Sequence, residues 1–153
     1  MSSLLALVLT HPTCYRHIGV VKSRLFDHID LRVTNLEAAD ALYSVLLPAI
    51  GFPARRVGAD HIAYDSSREH SKPEFVSLIE DPEHVPNKTR IAFWCDTREE
   101  VDQVAAVLPQ AAALNVEGPM FNPEYEPGYY AIFFEDPCGN RLEVCCRVAK
   151  SDA

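Results

Sequence analysis

The sequence predicts an α+β fold made of two tandem β-α-β-β-β units that pair around a cleft. A strand-like alternation is followed by a helix with a capping signal, and three short extended segments complete the unit. The same order then restarts after a proline-rich link. Each unit alone has one helix on a small sheet, which is too little to bury a core. We therefore expect the two units to pack together, with the functional site between them.

The first unit begins at residues 26–33, where polar and apolar residues alternate as in a strand with one face on a core. Thr34 and Glu37 have the spacing of a capping box, which predicts the start of a helix. Pro48 and Gly51 predict the end of that helix. Three extended segments are then expected around residues 54–57, 61–64 and 75–79.

The second unit restarts at residues 90–95 with the same alternation. Thr97 and Glu100 form a second capping box, 97 − 34 = 63 residues after the first, and the helix is expected to end before Pro109. A turn is expected at Gly118-Pro119. Three further extended segments are expected at residues 113–117, 129–134 and 140–146.

These patterns divide the chain into three parts. They are an N-terminal extension (1–24), a single domain (25–148) and a short tail (149–153). Within the domain, the first unit spans 25–80, the link 81–88 and the second unit 89–148.

The composition excludes two classes of partner. Lys and Arg total 14 against 22 Asp and Glu, so the acidic surface would repel the phosphates of nucleic acids and anionic lipids. The apolar run at residues 4–9 is far too short to span a bilayer. The five cysteines are odd in number and two are adjacent, which is typical of free thiols in a reducing compartment. We therefore expect a cytoplasmic protein that binds neither nucleic acid nor membranes.

Three short segments carry a resemblance to a known family: Phe26–Ile29, Pro127–Ala131 and Asp136–Glu143. Together with the duplicated unit, they resemble the vicinal oxygen chelate superfamily, which includes glyoxalase I, bleomycin-resistance proteins and extradiol dioxygenases. The resemblance covers about residues 25–148. It implies curled mixed sheets around a cleft, a small carbonyl- or oxygen-bearing ligand, and a homodimer.

The resemblance also implies a divalent metal held by one residue from the first and last strand of each unit. The family's usual set is two His and two Glu, a mixture that suits Zn, Ni, Fe or Mn. His28 and Glu143 match two of these positions and would be both metal ligands and catalytic residues. Glu74 is the carboxylate nearest to the third position, although Phe75 or Ser77 could hold the inward position there.

Arg90 stands at the fourth position, where related sequences tend to have His. Aligning the capping boxes would instead put Ile91 opposite His28, whereas strand alternation favours Arg90. Neither side chain can coordinate a metal, since a guanidinium has no lone pair to offer. Arg90 could clamp Glu143, or it could bind an anionic or carbonyl-bearing molecule with His28 as acid or base.

Further candidates for ligand binding are mostly aromatic. Trp94 has the alternation of Arg90, and Tyr129 and Tyr130 belong to an aromatic strand of which alternate members face the cleft. Core packing is the more usual role of such residues. Tyr125 and Glu126 lie in the polar loop before that strand, which could be a rim that selects the ligand or a plain connection.

Two functional hypotheses follow from these residues. The first is a metal-dependent lyase, isomerase or dioxygenase, similar to glyoxalases, in which His28, Glu143 and Glu74 hold the metal. The alternative is a metal-free binding protein, similar to the drug-sequestering members of the family, in which Arg90 anchors an anion. The retained His28 and Glu143 favour the first, and the arginine at position 90 favours the second.

Overall fold

The computed structural model describes residues 25–67 and 71–148, which form an α+β fold of two four-stranded mixed sheets. The predicted N-terminal extension (1–24) and tail (149–153) lie outside the described residues. The strands are β1 (His28–Val33), β2 (Ala54–Val57), β3 (His61–Asp65), β4 (Phe75–Glu80), β5 (Arg90–Trp94), β6 (Leu114–Phe121), β7 (Tyr129–Glu135) and β8 (Arg141–Arg147). The helices are α1 (Leu36–Ala49) and α2 (Arg98–Val107), and α2 runs into the short 3-10 helix Leu108–Gln110.

The two sheets repeat one strand order. The first is β1-β4-β3-β2 and the second is β5-β8-β7-β6. In each sheet the first strand of the unit pairs in parallel with the last, and the other pairs are antiparallel. The sheets do not close into a barrel. The predicted duplication of a β-α-β-β-β unit is therefore confirmed.

The cap of the first helix differs from the prediction by one residue. Asn35 is the N-cap of α1, and its side-chain oxygen accepts a hydrogen bond from the N–H of Ala38 at 2.8 Å. The hydroxyl of Thr34 donates instead to the sulfur of Cys138 at 3.3 Å, so it is turned away from the helix. Asn and Thr are both good caps, and this contact with the second unit leaves the role to Asn35. Thr97 caps α2 as predicted.

Two other element ends were predicted wrongly. Pro48 lies inside α1, because the N–H of Ile50 closes the last turn onto two preceding carbonyls at 3.2 Å and only one helical bond is lost. Strand β6 continues through Gly118-Pro119, where a turn was expected. Its register against β7 shifts twice, and such bulges let one strand carry extra residues while pairing continues.

The units share one hydrophobic core, which lies on the helix-covered sides of both sheets. Helices α1 and α2 contact each other across it. The hydroxyl of Tyr43 in α1 donates to the buried carboxylate of Asp136, in the turn between β7 and β8, at 2.9 Å. The side-chain amide of Asn140 donates to the carbonyl of Arg32 at 2.9 Å. The opposite face of each sheet, which no helix covers, is therefore left for a ligand site.

Among the described residues, no helix is both long enough and apolar enough to cross a membrane.

Candidate functional site

Arg90 occupies in the second unit the position that His28 occupies in the first. The N-caps of the two helices are 97 − 35 = 62 residues apart, and 90 − 28 gives the same offset. The residues that follow Arg90 and His28 both pack against the core, so these two side chains lie on the helix-free faces of their sheets. The alignment by strand alternation is therefore confirmed, and the alignment by a capping box at Thr34 is wrong.

The position of Glu143 is held in the first unit by Ser77. In the β1–β4 ladder Ser77 pairs with Asp30, and in the β5–β8 ladder Glu143 pairs with Ala92, which lies 92 − 30 = 62 residues after Asp30. Both Ser77 and Glu143 are buried. Of the alternatives left open for the first unit, the inward position opposite Glu143 is thus a serine.

His28 and Glu74 lie on different sides of the first sheet. The His28 ring stacks on Phe75 with 4.9 Å between ring centroids, and its Nδ1 lies 2.9 Å from the carboxylate of Asp27. The buried carboxylate of Glu74 accepts a hydrogen bond from the hydroxyl of Ser66 at 3.0 Å. Because neighbouring residues of an extended chain point to opposite sides, Phe75 takes the helix-free face and Glu74 the other.

The family's four-ligand metal site does not fit this chain. Of the four equivalent positions, His28 and Glu143 carry good metal ligands, Ser77 offers a neutral hydroxyl, and Arg90 offers no lone pair. Within residues 25–67 and 71–148, no group of three or more His, Cys, Asp or Glu could hold a metal ion. The predicted site of His28, Glu74 and Glu143 therefore stays a prediction, without support from the geometry of one chain.

Glu143 is the centre of a polar cluster on the helix-free face of the second sheet. Its side chain is 6% exposed and lies 3.6 Å from Nη1 of Arg90. It also accepts a short hydrogen bond from the hydroxyl of Tyr129. Burial and this hydrogen bond raise the pKa of Tyr129 well above its ordinary value, so the phenol stays protonated and can donate. The carboxylate thus has a cation and a donor as partners.

Aromatic rings surround this cluster. The guanidinium of Arg90 lies 4.8 Å from the centroid of the Phe133 ring. Tyr129 and Phe133 face the same side because they are four residues apart in β7. Tyr125, in the loop before β7, makes edge-to-face contacts with Tyr129 at 5.5 Å and with Phe133 at 6.4 Å between ring centroids. The loop therefore borders the cluster directly.

Arg147 belongs to the same face and was missed in the sequence. It lies four residues after Glu143 in β8, so continuing the strand alternation would have found it. Its Nε donates to the carboxylate of Glu126 at 2.7 Å. Its guanidinium lies 4.1 Å from the ring centroid of Tyr129 and 5.8 Å from that of Trp94. Arg147 thereby connects Glu126 and Trp94 to the cluster.

Tyr130 is the one predicted ligand-binding residue of β7 that lies elsewhere. It points to the helix-covered side, where its hydroxyl donates to Asp102 of α2 at 2.6 Å. This follows from alternation, since its neighbour Tyr129 takes the helix-free face. Cys145 lies on the side of Tyr129 and packs with it and with Ala131. The structure therefore gathers Arg90, Glu143 and Tyr129, bordered by a rim, and leaves Tyr130 as a packing residue.

The chain belongs to the glyoxalase/bleomycin resistance protein/dioxygenase superfamily, whose family model matches residues 25–144. No match was found among curated proteins.

Solved structures share the fold at low sequence identity. A glyoxalase/bleomycin resistance protein from Albidiferax ferrireducens is 19% identical, with a TM-score of 0.64, and the match covers 80% of this chain and 98% of that one. The fosfomycin resistance protein FosX from Listeria monocytogenes is 15% identical, with a TM-score of 0.61 and coverage of 83% and 96%. A lactoylglutathione lyase from Agrobacterium tumefaciens is 18% identical, with a TM-score of 0.57 and coverage of 80% and 92%. At these identities the likeness establishes the fold alone.

Proposed function

We propose that this protein binds a small anionic or carbonyl-bearing molecule without a metal, on the helix-free face of its second sheet, with Arg90 as the anchor. One observation carries the proposal: Glu143, which matches a metal ligand of the family, is hydrogen-bonded by Tyr129 and faced by Arg90 at 3.6 Å. A metal ion on this carboxylate would lie beside a permanent positive charge. Repulsion between two cations in a buried, poorly screened site disfavours the metal.

Arg90 keeps hydrogen-bonding capacity for such a ligand. A guanidinium has five N–H donors, and its 3.6 Å contact with Glu143 is longer than the roughly 2.7–2.9 Å of a charge-assisted hydrogen bond. The Arg90 side chain is 39% exposed, so a ligand can reach it. Beside it, the rings of Tyr129 and Phe133 offer flat apolar surface. A planar molecule with one carboxylate or one polarised carbonyl matches this combination.

Benzoate is the probe for this proposal, and benzyl alcohol is its uncharged match. By isothermal titration calorimetry with EDTA present, we expect benzoate to bind at least about tenfold more tightly than benzyl alcohol. Arg90→Ala should remove that difference, because it removes the charge that selects the anion. Arg98→Ala removes a guanidinium from α2, on the other side of the sheet, and should leave benzoate binding as it is.

Three results would contradict the proposal. They are equal binding of the two probes, no binding of benzoate, and benzoate binding that EDTA abolishes. Metal analysis of protein purified without a His tag is an independent check. A stoichiometric transition metal that disappears in Glu143→Ala would rule out the metal-free reading.

A metal-dependent lyase, isomerase or dioxygenase is the second candidate, and one observation favours it. The side chain of His28 is 44% exposed on the helix-free face of the first sheet. We propose a homodimer in which this face lies opposite the second sheet of another copy, which would bring His28 towards Glu143 of that copy. Light scattering should then give twice the mass of the chain, and a monomer at micromolar concentration would contradict this arrangement.

A cytoplasmic location is also part of the proposal. It is supported by Cys95, Cys138, Cys145 and Cys146, which are all free thiols.

A further inference from the structure

A cavity of about 880 Å³ lies between the two units on the helix-covered side, away from the proposed anion site. Its volume is in the range of small-molecule sites, roughly 300–1,000 Å³. The C-terminal end of α1 forms one wall and β5 with the start of α2 forms another. Its apolar lining includes Phe26, Ile29, Phe52, Ile91 and Phe93.

The charged side chains that line this cavity are acidic: Glu74, Asp96 and Glu100. None of the described residues that line it carries a positive charge. Asp96 and Glu100 are engaged at the start of α2, where the Glu100 carboxylate accepts the N–H of Asp96 at 2.8 Å. They therefore offset the positive end of that helix. The last residues of α1 also line the cavity, and the carboxyl end of a helix is partially negative.

Glu74 is the charged group set deepest in this lining. It is 5% exposed, and the hydroxyl of Ser66 donates to its Oε2 at 3.0 Å. A carboxylate has room for about four hydrogen bonds, so a donor from a ligand can be added to that of Ser66. In an apolar cavity the carboxylate favours a cationic donor over a neutral one, and it repels an anion.

We propose that this cavity binds a small organic cation with an apolar body, with the ammonium group on Glu74 and the apolar part between Ile29, Ile91 and Phe93. Charge complementarity defines the ligand class, since the lining is apolar and acidic. This site is separate from that of Arg90, which lies on the opposite face of the second sheet. The two proposals can therefore fail independently.

Three probes of one shape test the charge requirement: 4-phenylbutylammonium, 4-phenylbutanol and 4-phenylbutyrate. Titrated calorimetrically into the full chain, the ammonium should bind at least about tenfold more tightly than the alcohol, and the carboxylate more weakly still. Glu74→Gln keeps the shape and an acceptor for Ser66, and it should lower the ammonium affinity by about tenfold. Glu83→Gln, an exposed change in the link between the units, should leave that affinity unchanged.

A second variant tests the place of binding. Ile29→Phe adds volume to the cavity wall and should weaken the ammonium and the alcohol alike, with the fold checked by circular dichroism. Arg90→Ala should leave ammonium binding unchanged, and Glu74→Gln should leave benzoate binding unchanged. These two results together would separate this cavity from the anion site.

The proposal is overturned if the ammonium fails to bind, if all three probes bind equally, or if Glu74→Gln has no effect. A further outcome would also overturn it. If a zero-length carbodiimide cross-link joins Lys22 to Glu74 and the ammonium does not bind, the cavity serves the basic segment of residues 1–24, which has three Lys and Arg and no acidic residue.

Discussion

The two halves of this protein have the same strand order and differ in what their helix-free faces carry. On the first sheet, alternate residues of β1 are exposed: His28, Asp30 and Arg32. On the second sheet, the same face buries a cluster: Tyr129, Ala131, Glu143 and Cys145. The helix-covered faces are apolar in both halves, because they build the shared core. The duplicated unit is thus constrained where it packs, and it diverges where a ligand would bind.

The largest expected effect concerns the turn that joins the second half to the first. The fully buried carboxylate of Asp136 accepts the hydroxyl of Tyr43 at 2.9 Å and the backbone N–H groups of Cys138 and Asn140 at 2.8 Å each. Asp136→Ala leaves these donors buried without an acceptor, so the free energy of unfolding in urea should fall by about 3 kcal/mol.

The matched control for this change is Asp81→Ala, in the link after the first half. The carboxylate of Asp81 accepts one exposed N–H, that of Glu83, at 3.1 Å. The loss there should be under about 1 kcal/mol. Equal losses at the two positions would mean that the turn before β8 is no more important to the joining of the halves than an exposed link.

The order of elements could be predicted because each depends on local patterns of alternation, capping and turns. The match of Arg90 to His28 also followed from alternation within one strand. The side taken by Glu74 and the contact of Tyr125 with the aromatic strand could not be predicted, since they depend on loop paths and register between strands. The cap at Asn35 was missed because Thr34 is an equally good cap, and the choice between them rests on a contact with the second half.

Making the two halves more alike should change metal binding. Arg90→His restores at the second first strand the residue type that the first half has at position 28. It removes a permanent charge 3.6 Å from Glu143 and adds an imidazole, so affinity for Zn or Ni should rise by about tenfold or more. Calorimetric titration of the untagged variant measures this directly.

Arg98→His is the control for this increase, because it adds the same imidazole on the helix-covered side. Its metal affinity should equal that of the unchanged protein. If Arg90→His also leaves the affinity unchanged, then position 90 does not act together with Glu143, and the divergence between the halves has no consequence for metals.

The smallest expected effect tests the offset of 62 residues on which the comparison of the halves rests. Asn35→Ala and Thr97→Ala each remove the acceptor for an N–H in the first turn of a helix, at 2.8 and 3.2 Å, and should each lower the free energy of unfolding by about 1 kcal/mol. Thr34→Ala removes a hydroxyl that donates to a sulfur, a weak acceptor, and should cost less than about 0.5 kcal/mol. A larger loss for Thr34 than for Asn35 in urea unfolding would restore the offset of 63 and place Ile91, not Arg90, opposite His28.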